Sequence, residues 1–255
     1  MAEQAGGRFL LRIEDIDTTR SKPDFIEAIF EDLHWLGLKW EEPVRRQSEH
    51  FADYKAALAM LHARDLVYPA FMTRSEIAEA SELLSGDWPM DPDGMPHYPG
   101  RERDLNLADR NSLMSTGLPF GWRLNMKRAV EIAGPLTWTE TGDGTKRIIQ
   151  ARPEIWGDVL IARKDVPASY HLSVVVDDAL QGISHVVRGQ DLFEATAIHR
   201  LLQSLLDLPV PDYNHHRLLT DAKGKKLAKS KTSKPLRELR HDGFSPAYIR
   251  QLIGL

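Results

Sequence analysis

The sequence predicts an α/β protein: an open parallel sheet with helices packed on it, interrupted by an inserted α+β subdomain. Three observations carry this. Apolar runs of strand length alternate with amphipathic helical runs toward both ends of the 255-residue chain. Between Leu84 and Leu105 the alternation gives way to "SGDWPMDPDGMPHYPGRERD", rich in Pro, Gly and Asp. From Pro119 to Arg163 the apolar residues fall at period two, the spacing of short strands.

The first element is "RFLLRIEDID", an apolar run of strand length that ends in acids. In "SKPDFIEAIFEDLHWLG", Phe25, Ile26, Ile29, Phe30, Leu33 and Leu36 recur at helical spacing, with Pro23 in the first turn and Gly37 past the end. A second helix runs from about Ser48 to Arg64, with Phe51, Tyr54, Leu58 and Leu61 on one face, and a third opens at Thr73, where Glu76 completes a capping box. The period-two section places Phe120, Trp122, Leu124 and Met126, then Val159 and Ile161, in strands. Two buried apolar runs follow, "YHLSVVVDDAL" and "SHVVRG", then a helix from Asp191 with Glu194 as its capping partner. A short strand "HHRLLT" and a terminal helix opened by Ser245 and Pro246 complete the chain.

A net charge of -4 and a pI near 6.2 exclude a surface coated in basic residues, so any nucleic-acid contact must come from local patches. The absence of cysteine excludes disulfides, thiolate metal sites and covalent thiol chemistry. No apolar run reaches the length of a membrane span, and Met1 to Gly7 lacks the pattern of a signal peptide, so a cytoplasmic location and no membrane partner are expected.

In open α/β sheets, ligands bind outside the carboxyl ends of the strands. That rule selects Glu14, Asp15 and Asp17 after the first strand, Tyr170 and Asp177 around the third apolar run, Arg188 after "SHVV", and the lysine-rich stretch "TDAKGKKLAKSKTSKP". An arginine suits a carboxylate and an acid suits an ammonium, so together they suit an amino acid. The same residues also admit plainer roles: strand-end charges pair with one another, and the three acids either bind magnesium or cap the following helix. His215 and His216 are adjacent, so on a strand they face opposite ways and are expected to be structural.

"KLAKS", Lys226 to Ser230, resembles the "KMSKS" signature of class I aminoacyl-tRNA synthetases. "GRFLLRIEDIDTTR", "WLGLKWEE", "SYHLSVVVDDALQGISHVVRGQDL" and "YNHHRLLTDAKGKKLAKS" resemble the glutamyl branch of that class, in the same order. Glutamyl-tRNA synthetases carry a long helical anticodon-binding region after the lysine loop; here the chain ends 25 residues after Ser230, as in the shorter glutamyl-Q tRNA(Asp) synthetase family. The resemblance implies a Rossmann-like catalytic domain of the class I synthetase type over residues 1–67 and 165–255, with an acceptor-binding-like insertion over 68–164. It implies a ligase that uses ATP with Mg2+ to activate L-glutamate and passes the glutamyl group to the queuosine base of tRNA(Asp). Lys226 and Lys229 become the catalytic lysines, with Leu227 and Ser230 beside them at ATP. Glu14 is matched to the substrate ammonium, Arg188 to its side-chain carboxylate and Tyr170 to a hydrogen bond in the same pocket. No protein partner is implied.

The sequence departs from the family in three places. The "HIGH" signature and the strand before it are absent, so a chain lacking its first structural unit is expected, with two buried strand edges left unpaired. The alternative is a non-catalytic tRNA- or amino-acid-binding relative of glutamyl-tRNA synthetase. Where many members hold zinc through "YPCFCTR", a tyrosine and a later cysteine, this chain has "YPAFMTR" and "YPGRER". Ala70, Met72, Tyr98 and Glu102 then occupy the ligand positions, no zinc is expected, and packing around Trp88 and Tyr98 must hold the insertion. Ala228 replaces the signature's serine and removes one hydroxyl, which predicts weakening rather than loss.

Overall fold

The computed structural model describes residues 1–83, 88–163, 166–220, 227 and 234–254. The chain divides into two compact units, Met1–His50 with Arg217–Leu255, and Phe51–His216. No helix among the described residues is long and apolar enough to cross a membrane.

The first unit opens with a β-α-β segment. Strand β1 (Leu10–Ile13) pairs in parallel with β2 (Glu41–Arg46), and helix α1 (Pro23–Trp35) makes the crossover. Pro23 begins α1 and Gly37, at φ +76°, lets the chain turn away after it, as their positions predicted. The predicted apolar face is only partly covered: Ile26 is buried, while Phe25 and Ile29 remain exposed.

The second unit begins with α2 (Phe51–Ala63), β3 (Val67–Ala70) and α3 (Arg74–Leu83), then α4 (Leu107–Ser115), β4 (Gly121–Leu124) and α5 (Met126–Ala133). Thr73 and Glu76 form the expected reciprocal cap on α3, Glu76 Oε2 accepting from the Thr73 N–H at 2.7 Å. Helix α5 corrects the placing of Met126 on a strand in this mostly-strand section: Asn125 caps the helix by accepting from the Arg128 N–H, and Met126 and Ala129 turn inward. Strands β5 (Thr137–Glu140), β6 (Arg147–Gln150) and β7 (Leu160–Arg163) follow. Antiparallel β3, β4 and β7 form one sheet.

Next come α6 (Tyr170–Leu180), β8 (His185–Gly189), α7 (Thr196–Leu205) and β9 (Asp212–His216). The order of the second sheet is β6-β5-β9-β8, with β5, β9 and β8 parallel and β6 antiparallel at its edge. "YHLSVVVDDAL", read as an apolar run beside strand ends, is helix α6, capped by the Ser169 side chain. It is buried from Leu172 through Asp178, and a helix covered on all sides shows no amphipathic period. The helix expected from Asp191 begins instead at Thr196, after a 3-10 turn over Gln190–Leu192, and has no side-chain cap. Strand β9 begins three residues before the predicted "HHRLLT". Strand β8 stands at the edge of its sheet, paired with β9 on one side, and the expectation that its other edge would be buried is corrected, because Val187 is 52% exposed and water reaches the strand.

In the segment expected to have lost zinc ligands, Ala70 and Tyr98 are buried in one cluster with Tyr68 and Ile77, against which Met72 packs. The Tyr98 hydroxyl donates to Glu102 Oε2 at 2.7 Å and accepts from the Phe71 N–H at 3.2 Å, while the Arg123 guanidinium lies 4.4 Å over its ring. Burial, with Glu102 alongside, pushes the Tyr98 phenol well above its ordinary value. Asp158 sits beside this cluster as a hub: its carboxylate accepts from the Tyr68 hydroxyl (2.6 Å), Arg103 Nη1 (2.9 Å) and the Met126 N–H (2.9 Å), and its carbonyl accepts from Arg123 Nη1 (2.6 Å). Trp88 donates to the His97 carbonyl at 2.9 Å.

The chain returns to the first unit with α8 (Leu236–His241) and α9 (Pro246–Ile253). Arg240 ties α8 to α1 through Glu31 (2.7 Å) and Asp32 (3.4 Å), and Ser245 caps α9 by accepting from the Tyr248 N–H.

Candidate active site

Strands β5, β9 and β8 of the second unit carry Glu140, His215 and Arg188 at or one residue before their carboxyl ends, and in-register pairing places Arg188 opposite His215. Helix α7 lays Thr196 and His199 against them, and α6 brings Tyr170 and His171. Arg188 donates through Nε to His215 Nε2 (3.1 Å), through Nη1 to His199 Nδ1 (2.9 Å), and through Nη2 to Thr196 Oγ1 (2.7 Å) and the Leu192 carbonyl (3.2 Å). Its guanidinium also lies 5.2 Å from the centre of the Tyr213 ring. His199 faces His171 at 3.2 Å, and the Tyr170 ring packs edge-on against His199.

Glu140 anchors the other side of this cluster. One carboxylate oxygen accepts from His215 Nδ1 at 2.6 Å; the other accepts from the backbone N–H groups of His215 (3.0 Å) and Gly142 (2.8 Å). Burial would raise the Glu140 carboxyl, but the backbone and ring donors of His215 and the Gly142 N–H outweigh it and hold it below the ordinary range. Gly142 is required by close approach: a Cβ there would lie 2.3 Å from the His215 carbonyl oxygen and 2.7 Å from Glu140 Oε1. Gly142→Ala is therefore expected to cost about 1–3 kcal/mol in urea unfolding, and an unchanged midpoint would contradict this packing.

Burial pushes all three imidazoles down. His199 lies well below its ordinary value, with Arg188 adding to the effect; His171 falls to about 4 through burial and Arg188; His215 is lowered by burial against the pull of Glu140. Each ring binds a proton less readily folded than unfolded, so unfolding takes up protons as pH drops below 6.5. Stability is full above that window and falls within it by up to about 1.4 kcal/mol per pH unit for each histidine. Thermal melts from about pH 7.5 to about pH 5 should show this slope, and His171→Gln should reduce it; a melting temperature independent of pH would contradict it.

The other predicted residues fall elsewhere. Glu14, in the first unit just past β1, is exposed and 3.8 Å from Arg12. Asp15 is buried and accepts from both the N–H and hydroxyl of Ser48 at 2.8 Å, while Asp17 closes a turn with Thr19 and Arg20. Neither acid caps α1, whose N-cap is Lys22. Asp177 is not at a strand end: it lies inside α6, where its carboxylate accepts from the Tyr54 hydroxyl at 3.0 Å. Leu227 is exposed and donates its N–H to the Leu219 carbonyl at 2.8 Å; Lys226, Lys229 and Ser230, like Ala228, lie outside the described residues. No group of three or more histidines and acids suited to a metal occurs among the described residues.

His215 and His216 do face opposite ways, the first buried and the second exposed. Sequence reasoning missed Glu140, His171, Thr196 and His199. For His171 and His199 the available signal was a histidine inside a largely apolar run, "YHLSVVV" and "TAIHRLL".

Comparison with known proteins places this arrangement in a family. The family model "tRNA synthetases class I (E and Q), catalytic domain" matches residues 1–255. The chain is 47% identical to a glutamyl-Q tRNA(Asp) synthetase of Rhodobacter capsulatus, over the whole chain and 91% of that protein. It is 36% identical to glutamate–tRNA ligase 2 of a Methylobacterium species, again over the whole chain but only 54% of that relative. A solved glutamate tRNA ligase of Elizabethkingia meningosepticum, in complex with its amino acid, superposes with a TM-score of 0.75 at 24% identity, covering 98% of this chain and 54% of that one. The chain thus spans about half the length of the glutamate–tRNA ligases it matches and nearly all of the shorter relative. It has the class I synthetase α/β fold and belongs to the class I tRNA synthetases for glutamate and glutamine, a family of ligases.

Proposed function

We propose that this protein activates L-glutamate with ATP and transfers the glutamyl group to the queuosine base of tRNA(Asp). The observation that carries this reading is Arg188, a fixed guanidinium at the carboxyl ends of parallel strands, where an α/β fold binds its ligand. The 47% identity to a glutamyl-Q tRNA(Asp) synthetase supports the choice of acceptor.

In the first step an oxygen of the glutamate α-carboxylate attacks the α-phosphorus of ATP, and the bond to pyrophosphate breaks. In the second, a queuosine hydroxyl attacks the carbonyl of the glutamyl adenylate, AMP leaves, and the hydroxyl proton is lost to solvent. No covalent enzyme intermediate is needed, so the protein contributes positioning and charge. Arg188 takes the side-chain carboxylate, Glu14 the ammonium, and Tyr170 a hydrogen bond to the amino acid. Lys226 and Lys229, with Leu227 and Ser230, attend the phosphates, and Mg2+ accompanies ATP. Residues 1–67 and 165–255 form the catalytic domain in this reading, and 68–164 the insertion that meets RNA, held by the Tyr98 and Asp158 contacts without zinc. A cytoplasmic site of action accompanies it.

Glutamate-dependent ATP–pyrophosphate exchange, followed by transfer of labelled glutamate to tRNA(Asp) with and without queuosine, tests both steps. Exchange at background would sink the catalytic reading, and salt-sensitive tRNA binding without exchange would identify a binding-only relative. Transfer that ignores queuosine would overturn the proposed acceptor.

A further inference from the structure

His199 and His215 flank the Arg188 guanidinium and are almost completely enclosed, at 1% and 4% exposure. An arginine donates at every nitrogen and accepts at none. The ring nitrogens facing it, His199 Nδ1 at 2.9 Å and His215 Nε2 at 3.1 Å, must therefore carry lone pairs. Both rings are neutral, with their protons on opposite nitrogens: Nε2 in His199 and Nδ1 in His215. The far sides agree. The His215 Nδ1 proton meets Glu140 Oε2 at 2.6 Å, and the His199 Nε2 proton meets His171 Nδ1 at 3.2 Å, which places the His171 proton on Nε2.

The remaining acceptors on Arg188 among the described residues are the Thr196 hydroxyl and the Leu192 carbonyl, so none of its direct acceptors there is charged. A half-buried arginine fixed on several sides is more commonly held by carboxylates, which cancel its charge. Here the carboxylate in the cluster, Glu140, stands one imidazole away. The other titratable groups packed around the guanidinium are Tyr213 on β9 and, through His199, Tyr170 and His171 on α6.

We propose that His199 and His215 are positioning residues that fix the plane of Arg188 through neutral acceptors and leave its positive charge uncancelled for a substrate carboxylate. The pair then favours glutamate over glutamine, because an arginine already neutralised by an acid has little to gain from an anion. This rests on the reading of Arg188 as the anchor for the glutamate side chain.

Two measurements test it. Nitrogen-15 NMR of the imidazoles near neutral pH should show His199 and His171 protonated on Nε2 and His215 on Nδ1. A doubly protonated ring at either flanking position, or His215 protonated on Nε2, overturns the proposal. In ATP–pyrophosphate exchange, His199→Gln keeps a neutral acceptor, whereas His199→Asp supplies a charged one. The aspartate variant should raise the glutamate KM by about 30-fold or more and narrow the preference over glutamine, with a smaller change in kcat, while the glutamine variant recovers most of the loss. Equal behaviour of the two folded variants overturns the proposal. If the unsubstituted protein shows no glutamate-dependent exchange, the functional reading fails alone, and the imidazole protonation pattern still decides whether Arg188 is held by neutral rings.

Discussion

Replacing Arg188 with alanine is expected to raise the KM for glutamate by about 100- to 1,000-fold in ATP–pyrophosphate exchange and to shift the KM for ATP only a few-fold. The size follows from losing a charge-assisted contact to a carboxylate, made through the one guanidinium N–H that His215, His199, Thr196 and the Leu192 carbonyl leave over, about 3–4 kcal/mol where each 1.4 kcal/mol is tenfold. Arg188→Lys should fall between, since an ammonium keeps the charge but cannot span His215, His199, Thr196 and the Leu192 carbonyl at once. Melting curves for both variants separate loss of ligand from loss of fold. A folded alanine variant with an ordinary glutamate KM would remove Arg188 from the substrate site.

The largest stability effect is expected at Asp158, far in sequence from anything the chemistry would select. Asp158→Ala strips acceptors from the Tyr68 hydroxyl, Arg103 and the Met126 N–H together, and leaves Tyr68 buried with its hydroxyl unanswered. Breaking a buried, hydrogen-bonded charge pair from one side costs about 3–5 kcal/mol. For a domain of this size that lowers the melting temperature by roughly 10 °C. Asp158→Asn retains an acceptor for the Met126 N–H but not the charge facing Arg103, and should cost less. Wild-type stability in the alanine variant would show that Tyr68 and Arg103 find other partners.

How much of this was readable in the sequence depended on whether an element has a wet side. Helix α1, with solvent along one face, announced itself through Pro23, Gly37 and its period, and α3 through Thr73 and Glu76. Helix α6 is enclosed from Leu172 through Asp178, so its sequence carries little amphipathic signature and it read as an apolar run, whereas α7 keeps a helical period but begins later than expected because a 3-10 turn over Gln190–Leu192 precedes it. The candidate site followed the same division. Arg188 stood out as a charge at the end of an apolar strand, and Tyr170 as a polar group beside the third apolar run. Glu140, His171 and His199 come from three separate elements, and only the pairing of β5 with β9 and the packing of α6 on α7 bring them to Arg188. Asp15, Asp17 and Asp177 looked chemical by charge and position, yet their hydrogen bonds are taken up by Ser48, the turn at Thr19 and Tyr54.

The pairing of β8 with β9 opposes Arg188 to His215 while His216, one residue on, faces away. The pocket is thus stored as a parity. Moving β9 on by a single position would put His215 in the exposed place of His216 and Asn214 in the buried one, which strips Glu140 of its imidazole partner. Point substitutions at surface loops leave that parity alone, whereas a one-residue insertion between Asp212 and His215 inverts it. Drift in this lineage should therefore tolerate length changes in the turns around β9 and forbid them within it.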